Sequence, residues 1–416
     1  MPLVFPQLIL SSVHRYIADK NNGQAKKGIF PAGGIPAIQL ALLKETRVDD
    51  NVTLYAVGDI LPHRDIGDFL LAQVASGLNQ ADITFCQIET PFSAGELRRV
   101  GHSELLAGSK DVAALVKAGF DVCSFASNHC YWARDQGILD TMDVFGRNNI
   151  RVIGVGRNIA EARQPAILER RGTKVAFLAY NSVLAPNSEA RADKPGCVPV
   201  RVSTKYEQVD WQPGTPPRID TSADKDDLSA MVGDIRSARQ QADVVVVSIH
   251  WGVHLVPAAI AMYQYEVGHA AVDAGADLIL GHHPHILKGI EVYKNRVIFY
   301  SMGNFAFFSP VLGARSTFKP LYKVKADPDY PNYFFPPDCR KSILVKAVIA
   351  NKKIEKVSFV PVMINGQAQP ELLSPADQRS TQVYDYVVWA CTDQNLNTSF
   401  SRQGDEVVVV TSSQRN

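Results

Sequence analysis

The chain has 416 residues, 46% of them apolar and 20% charged. That composition excludes a disordered, collagen-like or coiled-coil chain, and the length suits one large α/β domain with extensions or roughly two to three smaller ones. Lys+Arg number 43 and Asp+Glu 42, so the formal net charge of +1 gives no global attraction to nucleic acid or to an anionic membrane.

Residues 1–50 precede the first core strand and read as an N-terminal extension. The opening MPLVFPQLILSSVHRYIADKNNG has a short apolar stretch, with no basic segment before it and no small-residue cleavage site. No run approaches the ~18 apolar residues of a membrane span. The expectation is a cytoplasmic chain without a membrane span. Six cysteines (Cys86, Cys123, Cys130, Cys197, Cys339, Cys391), none in CxxC spacing, fit reduced and mostly buried thiols.

From residue 52 onward a unit recurs: a short β-rich run, a polar residue, then a helix-like segment. The runs are VTLYAVG (52–58), ITFCQI (83–88), VCSFAS (122–127), VVVVSI (244–249), LILG (278–281) and VIFYSMG (297–303). Each is apolar almost throughout, as for strands buried on both faces. Helical segments before Val122 and Leu278 close on Gly119 and Gly275, which suit helix C-caps. Residues 151–154 and 174–180 add two strands. Residues 182–227 and 306–341, rich in Pro and polar or aromatic residues, read as insertions, either binding loops or mere crossovers. Residues 342–350 and 353–362 predict an antiparallel hairpin at a sheet edge, turned by Asn351. A C-terminal tail fills 366–416, leaving 51–365 as the catalytic domain. Alternating strands and helices of this kind predict an α/β fold.

The strand ends carry the chemistry. Asp59, Glu89, Asn128 with His129, His250, the trio His282, His283 and His285, and Asn304 follow six successive core strands. Open α/β sheets bind ligands outside the carboxyl ends of their strands. Oxygen and nitrogen donors without thiolate suit Mn²⁺, Fe²⁺, Zn²⁺ or Mg²⁺. The set exceeds one tetrahedral site and fits two metals ~3.5–4 Å apart, with a shared carboxylate for which Glu89 is the candidate. Water beside two cations loses a proton near neutral pH and becomes a nucleophile. His129, next to Asn128, fits a general acid for the leaving group.

These residues also carry a family resemblance. GDI (58–60), IET (88–90), SNH (127–129), HWG (250–252), GHHPH (281–285) and YSMGNF (300–305) together resemble the CapA (PgsA-type) family. Its members are bacterial capsule-synthesis proteins involved in making poly-γ-glutamate, within the calcineurin-like metallophosphoesterase superfamily. The resemblance implies a four-layer α/β/β/α sandwich with N- and C-terminal extensions and a centre of two divalent metals (Mn, Zn or Fe). By motif, Asp59, Glu89, Asn128, His250, His283 and His285 would be ligands and His129 the catalytic histidine. His282 would be a further ligand or a partner of one. The superfamily's D-x-H opening is absent: position 61 is Leu, and the nearest histidine is His63. Either His63 reaches in, or that metal has one protein ligand fewer.

Other residues keep two readings each. Arg64 would bind a substrate oxygen or form a salt bridge. Trp251 would line a pocket or pack as a core aromatic. Asn304 would contact substrate or hold a loop. His254 and Glu291 would orient a ligand or lie at the surface. The expected activity is hydrolysis of an amide in a γ-glutamyl or peptide-like compound, small or polymeric. Phosphoester hydrolysis, acyl transfer at the same centre, and a non-catalytic part in a poly-γ-glutamate or capsule assembly are alternatives. Biosynthetic complex partners or a homo-oligomer are the expected associations.

Overall fold

The computed structural model describes residues 50–101, 106–309 and 327–411. The expected extension 1–50, save its last residue, and residues 310–326 of the second insertion lie outside them. The chain begins with β1 (Val52–Leu61), α1 (Gly67–Leu71), α2 (Ala75–Leu78), β2 (Ile83–Ile88), α3 (Ser109–Lys117), β3 (Val122–Ser124), α4 (Arg134–Arg147) and β4 (Arg151–Ile153). β5 (Val155–Gly156), α5 (Ile159–Ala162), β6 (Ala166–Arg170), β7 (Thr173–Asn181), β8 (Gly196–Cys197), β9 (Val202–Glu207) and β10 (Arg218–Ala223) follow. Next come α6 (Lys225–Arg239), β11 (Val244–His250), α7 (Met262–Ala274), β12 (Leu278–His282), β13 (Ile290–Tyr293), β14 (Arg296–Phe299) and β15 (Asn304–Phe307). The described chain ends with β16 (Lys341–Ala350), β17 (Lys353–Ile364), β18 (Pro370–Leu372), α8 (Gln378–Asp393), β19 (Ser399–Gln403) and β20 (Glu406–Val410).

Two large sheets organise these elements into a mixed α/β fold. A ten-stranded sheet runs β19-β20-β17-β16-β1-β2-β3-β4, with β15 beside β1 and β18 beside β17. A six-stranded sheet runs β13-β14-β12-β11-β7-β6. The apolar runs explain both. In β7, β11 and β12, Val175, Phe177, Val244, Val246, Leu278 and Leu280 share one core with Leu54, Ala56 and Phe85 of the other sheet. The alternate residues Ala176, Leu178, Val245, Val247 and Ile279 pack against Met231 and Ile235 of α6 and Val267 and Ala271 of α7. Side chains alternate across a strand, so a run that is apolar throughout must be covered on both faces. Phe85 and Phe177 meet between the sheets, their rings nearly parallel with centroids 6.0 Å apart.

The helices before β3 and β12 end as expected, with Gly119 at φ +84° and Gly275 at φ +117°, where a Cβ would be strained. Three expectations change. The run 297–303 is not one strand: β14 stops at Phe299, and residues 300–303 carry the chain to β15 in the other sheet. The hairpin β16–β17 does turn at Asn351 and Lys352, both at positive φ, but it is interior, since β16 also pairs β1 and β17 also pairs β20. Residues 366–411 are no tail: β19 and β20 extend the ten-stranded sheet, and α8 buries Val383, Val387, Ala390 and Cys391. Residues 182–227 divide. Cys197, Val198 and Val200 are buried, whereas the β9–β10 ribbon stands out, with Trp211 at 87% exposure. All six cysteines are free and buried. No helix among the described residues is long and apolar enough to cross a membrane.

Candidate metal centre

Parallel pairing sets the strand ends level with one another. In the six-stranded sheet His250 stands opposite His282, and in the ten-stranded sheet Asp59 stands opposite both Gln87 and Asn304. Both parallel ladders of β1 shift register at Asp59, an irregularity that re-aims a side chain. Gly58 makes this geometry accessible: a Cβ there would lie 2.0 Å from the Gly303 carbonyl oxygen. Glu89 follows β2 directly, while Asn128 and His129 follow β3 on a short turn. His283 and His285 sit after β12 at φ +94° and +56°, backbone strain of the kind that a surrounding structure must hold in place.

Two carboxylates anchor two groups of side chains. Around Asp59, His282 Nδ1 lies 2.8 Å from Oδ1, while Oδ2 accepts the His283 N–H at 3.3 Å and faces His285 Nδ1 at 3.4 Å. Around Glu89, His129 Nε2 lies 3.2 Å from Oε2 and His250 Nδ1 3.3 Å from Oε1. His250 Nε2 meets Asn128 Oδ1 at 2.9 Å. The groups touch: the His250 and His283 ring centroids are 4.8 Å apart. Glu89, His129 and His285 each bring one ligand atom to within 4.8 Å of the others.

The electrostatics of the two carboxylates diverge. Burial alone would raise the Asp59 carboxyl, but the hydrogen bonds and charge of His282 and His285 outweigh it and hold it well below the usual range. Burial pushes Glu89 well above that range, and the Asp59 charge adds to it. Burial, with neighbouring imidazoles, holds His129, His250 and His283 below their ordinary value, hence neutral with a lone pair to donate. Both Glu89 oxygens, His129 Nδ1, His250 Nδ1, His282 Nε2 and His283 Nδ1 are buried without a hydrogen-bond partner. Orphaned buried polar atoms are rare and costly. Several aimed at one rim fit a divalent cation, whose preferred donors are carboxylate and neutral imidazole.

The model of the family described as bacterial capsule synthesis protein PGA_cap matches residues 53–309. The chain belongs to that family. It is 28% identical to the capsule biosynthesis protein CapA of Bacillus anthracis over 63% of this chain and 61% of that one. It is also 28% identical to the PGA biosynthesis protein CapA of Bacillus subtilis strain 168, over 63% of this chain and 65% of that one. A Mycobacterium tuberculosis relative named "Probable polyglutamine synthesis accessory protein" is 28% identical over 52% of this chain and 54% of its own. The match thus spans less than two thirds of these relatives' own length.

Within this PGA_cap chain, Asp59, Glu89, Asn128, His129, His250, His282, His283 and His285 gather at one rim. The substrate readings of three other residues need correction. Trp251 is fully buried, stacks on Tyr300 and donates its Nε1–H to the Tyr300 carbonyl, so it belongs to the core under the site. Arg64 donates to the Leu106 and Gly95 carbonyls and fastens a loop. Asn304 is buried, its Oδ1 2.7 Å from His285 Nδ1 and its Nδ2 donating to the Tyr333 hydroxyl, so it orients a histidine. His63 packs edge-on against Phe308. Glu291 binds His269 and the Tyr300 hydroxyl. His254, in contrast, comes to the rim beside His283 and His285. Sequence reading missed Tyr333, which passes the Asn304 contact on to the Cys339 carbonyl. Its aromatic-rich loop gave no signal of that role.

Proposed function

We propose that this PGA_cap chain is a metal-dependent hydrolase acting on an amide of a γ-glutamyl or peptide-like compound. In this reading the two sheets form the inner layers of an α/β/β/α metallophosphoesterase sandwich. One observation carries it: donors from both sheets converge at the strand ends, and buried atoms of Glu89, His129, His250, His282 and His283 among them are left without hydrogen-bond partners. Asp59, Glu89 and His285 would hold one divalent cation, and Glu89, Asn128, His250 and His283 a second, with Glu89 shared. When bound, such cations supply Lewis acidity and a water acidic enough to attack an acyl or phosphoryl centre near neutral pH.

The protein's own groups do the rest. Asp59, fixed by three donors, stays ionised and orients His282 and His285. Asn304 sets the His285 tautomer through Nδ1, leaving Nε2 for a cation. His129 is the open imidazole of the Glu89 group, 20% exposed; neutral at rest, it would take up the proton that the attacking water gives up and pass it to a departing amine or alcohol.

The test is turnover of γ-glutamyl amides, small peptides and phosphodiesters by protein loaded with Mn²⁺, Zn²⁺ or Fe²⁺. Amide hydrolysis that chelator abolishes is the expected result. In His129→Ala, a proton donor's loss lowers the rate by ~10²–10⁴ while metal content stays unchanged. Loss of metal in that variant would make His129 a ligand instead. A second reading, a non-catalytic component of a polymer-synthesis assembly, draws support from the relative named as an accessory protein. Metal-loaded protein inert towards every amide and phosphoester, with a tight protein partner on pull-down, would establish it over the first.

A further inference from the structure

The loop after β11 runs alongside the loop after β12 in the same direction. Trp251 N–H donates to the His282 carbonyl at 3.1 Å, and Leu255 N–H to the Pro284 carbonyl at 3.0 Å. The second bond lands between His283 and His285. It brings the His254 ring to 5.4 Å from that of His283 and 5.1 Å from that of His285, centroid to centroid.

The loop is held in a conformation it would not take alone. Gly252, Leu255 and Ala258 all have positive φ, at +94°, +57° and +55°, and for Leu and Ala that costs free energy. Lys288, only 1% exposed, pins the far side, its Nζ donating to the Val256 and Ala259 carbonyls. A buried lysine whose hydrogen bonds go to two loop carbonyls is itself costly. Strain and a buried cation on one short loop mark a position the fold maintains against local preference. The half-buried side chain which that loop delivers to the rim is His254.

From this geometry we infer that His254 is a further imidazole ligand of the cation that His285 helps to hold. Lys288 is the positioning residue that keeps it there. The spacing of the His254 and His285 rings, 5.1 Å, fits. With a metal–nitrogen distance of ~2.1 Å, an imidazole centroid lies about 3.2 Å from the ion, and two such rings at the tetrahedral angle lie about 5 Å apart. His254 thereby supplies the donor that Leu61 cannot. The inference rests on the metal-centre reading above and goes beyond it by completing the coordination.

The experiment is metal analysis of dialysed protein, wild type against His254→Leu and His254→Glu, with X-ray absorption of the Zn²⁺-loaded forms to count imidazoles per zinc. Wild type should hold about two equivalents. His254→Leu should weaken one of them at least tenfold and lower the imidazole count, and His254→Glu, which offers a carboxylate oxygen, should recover the lost equivalent. Unchanged stoichiometry, affinity and imidazole count in His254→Leu would overturn the inference and leave the metal centre standing. A wild-type protein without metal would overturn both. Should His254→Leu fail to fold, Lys288→Met serves in its place, since a loosened loop gives the same loss of one equivalent. Full retention there would count against the inference.

Discussion

Glu89 and Glu406 belong to the same sheet and meet opposite fates. Glu406 opens β20 at the antiparallel side, where Lys346 of β16 and Lys356 of β17 both reach it and Ser358 donates at 2.8 Å. Burial alone would raise its carboxyl, yet these donors bring it down to about 2. Glu89, at the carboxyl end of the parallel strands, is fully buried with neither oxygen hydrogen-bonded, each faced instead by an imidazole nitrogen of His129 or His250, and its carboxyl is pushed up. A carboxylate whose neighbours complete it is a cross-link. One that its neighbours leave incomplete is a place for something else to bind.

Glu89→Gln should break that contrast most visibly. If Glu89 is the shared anionic ligand, as proposed, the amide keeps the shape and removes it, so metal content should fall from about two equivalents to below one. The melting curve gives an independent check. A ligand at a hundredfold its Kd stabilises the folded state by about 2.7 kcal/mol, so added Mn²⁺ or Zn²⁺ should raise the wild-type midpoint and leave that of Glu89→Gln unmoved. Equal metal uptake by the two proteins would show Glu89 to be an ordinary buried acid.

Asn304→Ala sharpens the same comparison from one shell further out. It leaves the His285 Nδ1 and the Tyr333 hydroxyl without their 2.7 Å partner. Removing such an orienting contact costs ~10–100-fold in metal affinity. Titration of metal into the variant should show this, with stoichiometry kept. An unchanged affinity would return Asn304 to a purely loop-holding role.

What was legible in the sequence follows from these physics. Strands covered on both faces appear as unbroken apolar runs, so the polar residue that ends each one stands out. Asp59, Glu89, His250 and His282 were visible for that reason. Residues whose meaning lies in a distant partner were not. Lys288 sits in HPHILKGI like a surface lysine, and its carbonyl partners lie about thirty residues earlier in the chain. Asn304 depends on Tyr333 from another loop. Strand β19 lacks a continuous apolar run, since SFSRQ is only half covered, and the short valine run of β20 stands alone. Their place in the sheet is set by pairing with β17 and by Glu406 between two lysines, neither of which shows locally.

Glu406→Gln gives the smallest effect and tests the other half of the contrast. Its folded carboxyl lies below the ordinary value of 4.5, at about 2. The unfolded chain therefore takes up the proton first as pH falls. The stabilisation is complete above pH 4.5 and drains away between there and about pH 2. The shift corresponds to about 3 kcal/mol, which screening at a partly exposed sheet rim and the desolvation of two lysines reduce to roughly 1–2 kcal/mol. Wild type should thus exceed Glu406→Gln in denaturant midpoint at neutral pH, and the gap should close on acidification through that window. Metal content should be identical in the two proteins. A gap that stays constant with pH would mean that Glu406 acts through shape rather than charge. Loss of metal would mean that the C-terminal strands support the centre, and that the two carboxylates are less independent than their surroundings imply.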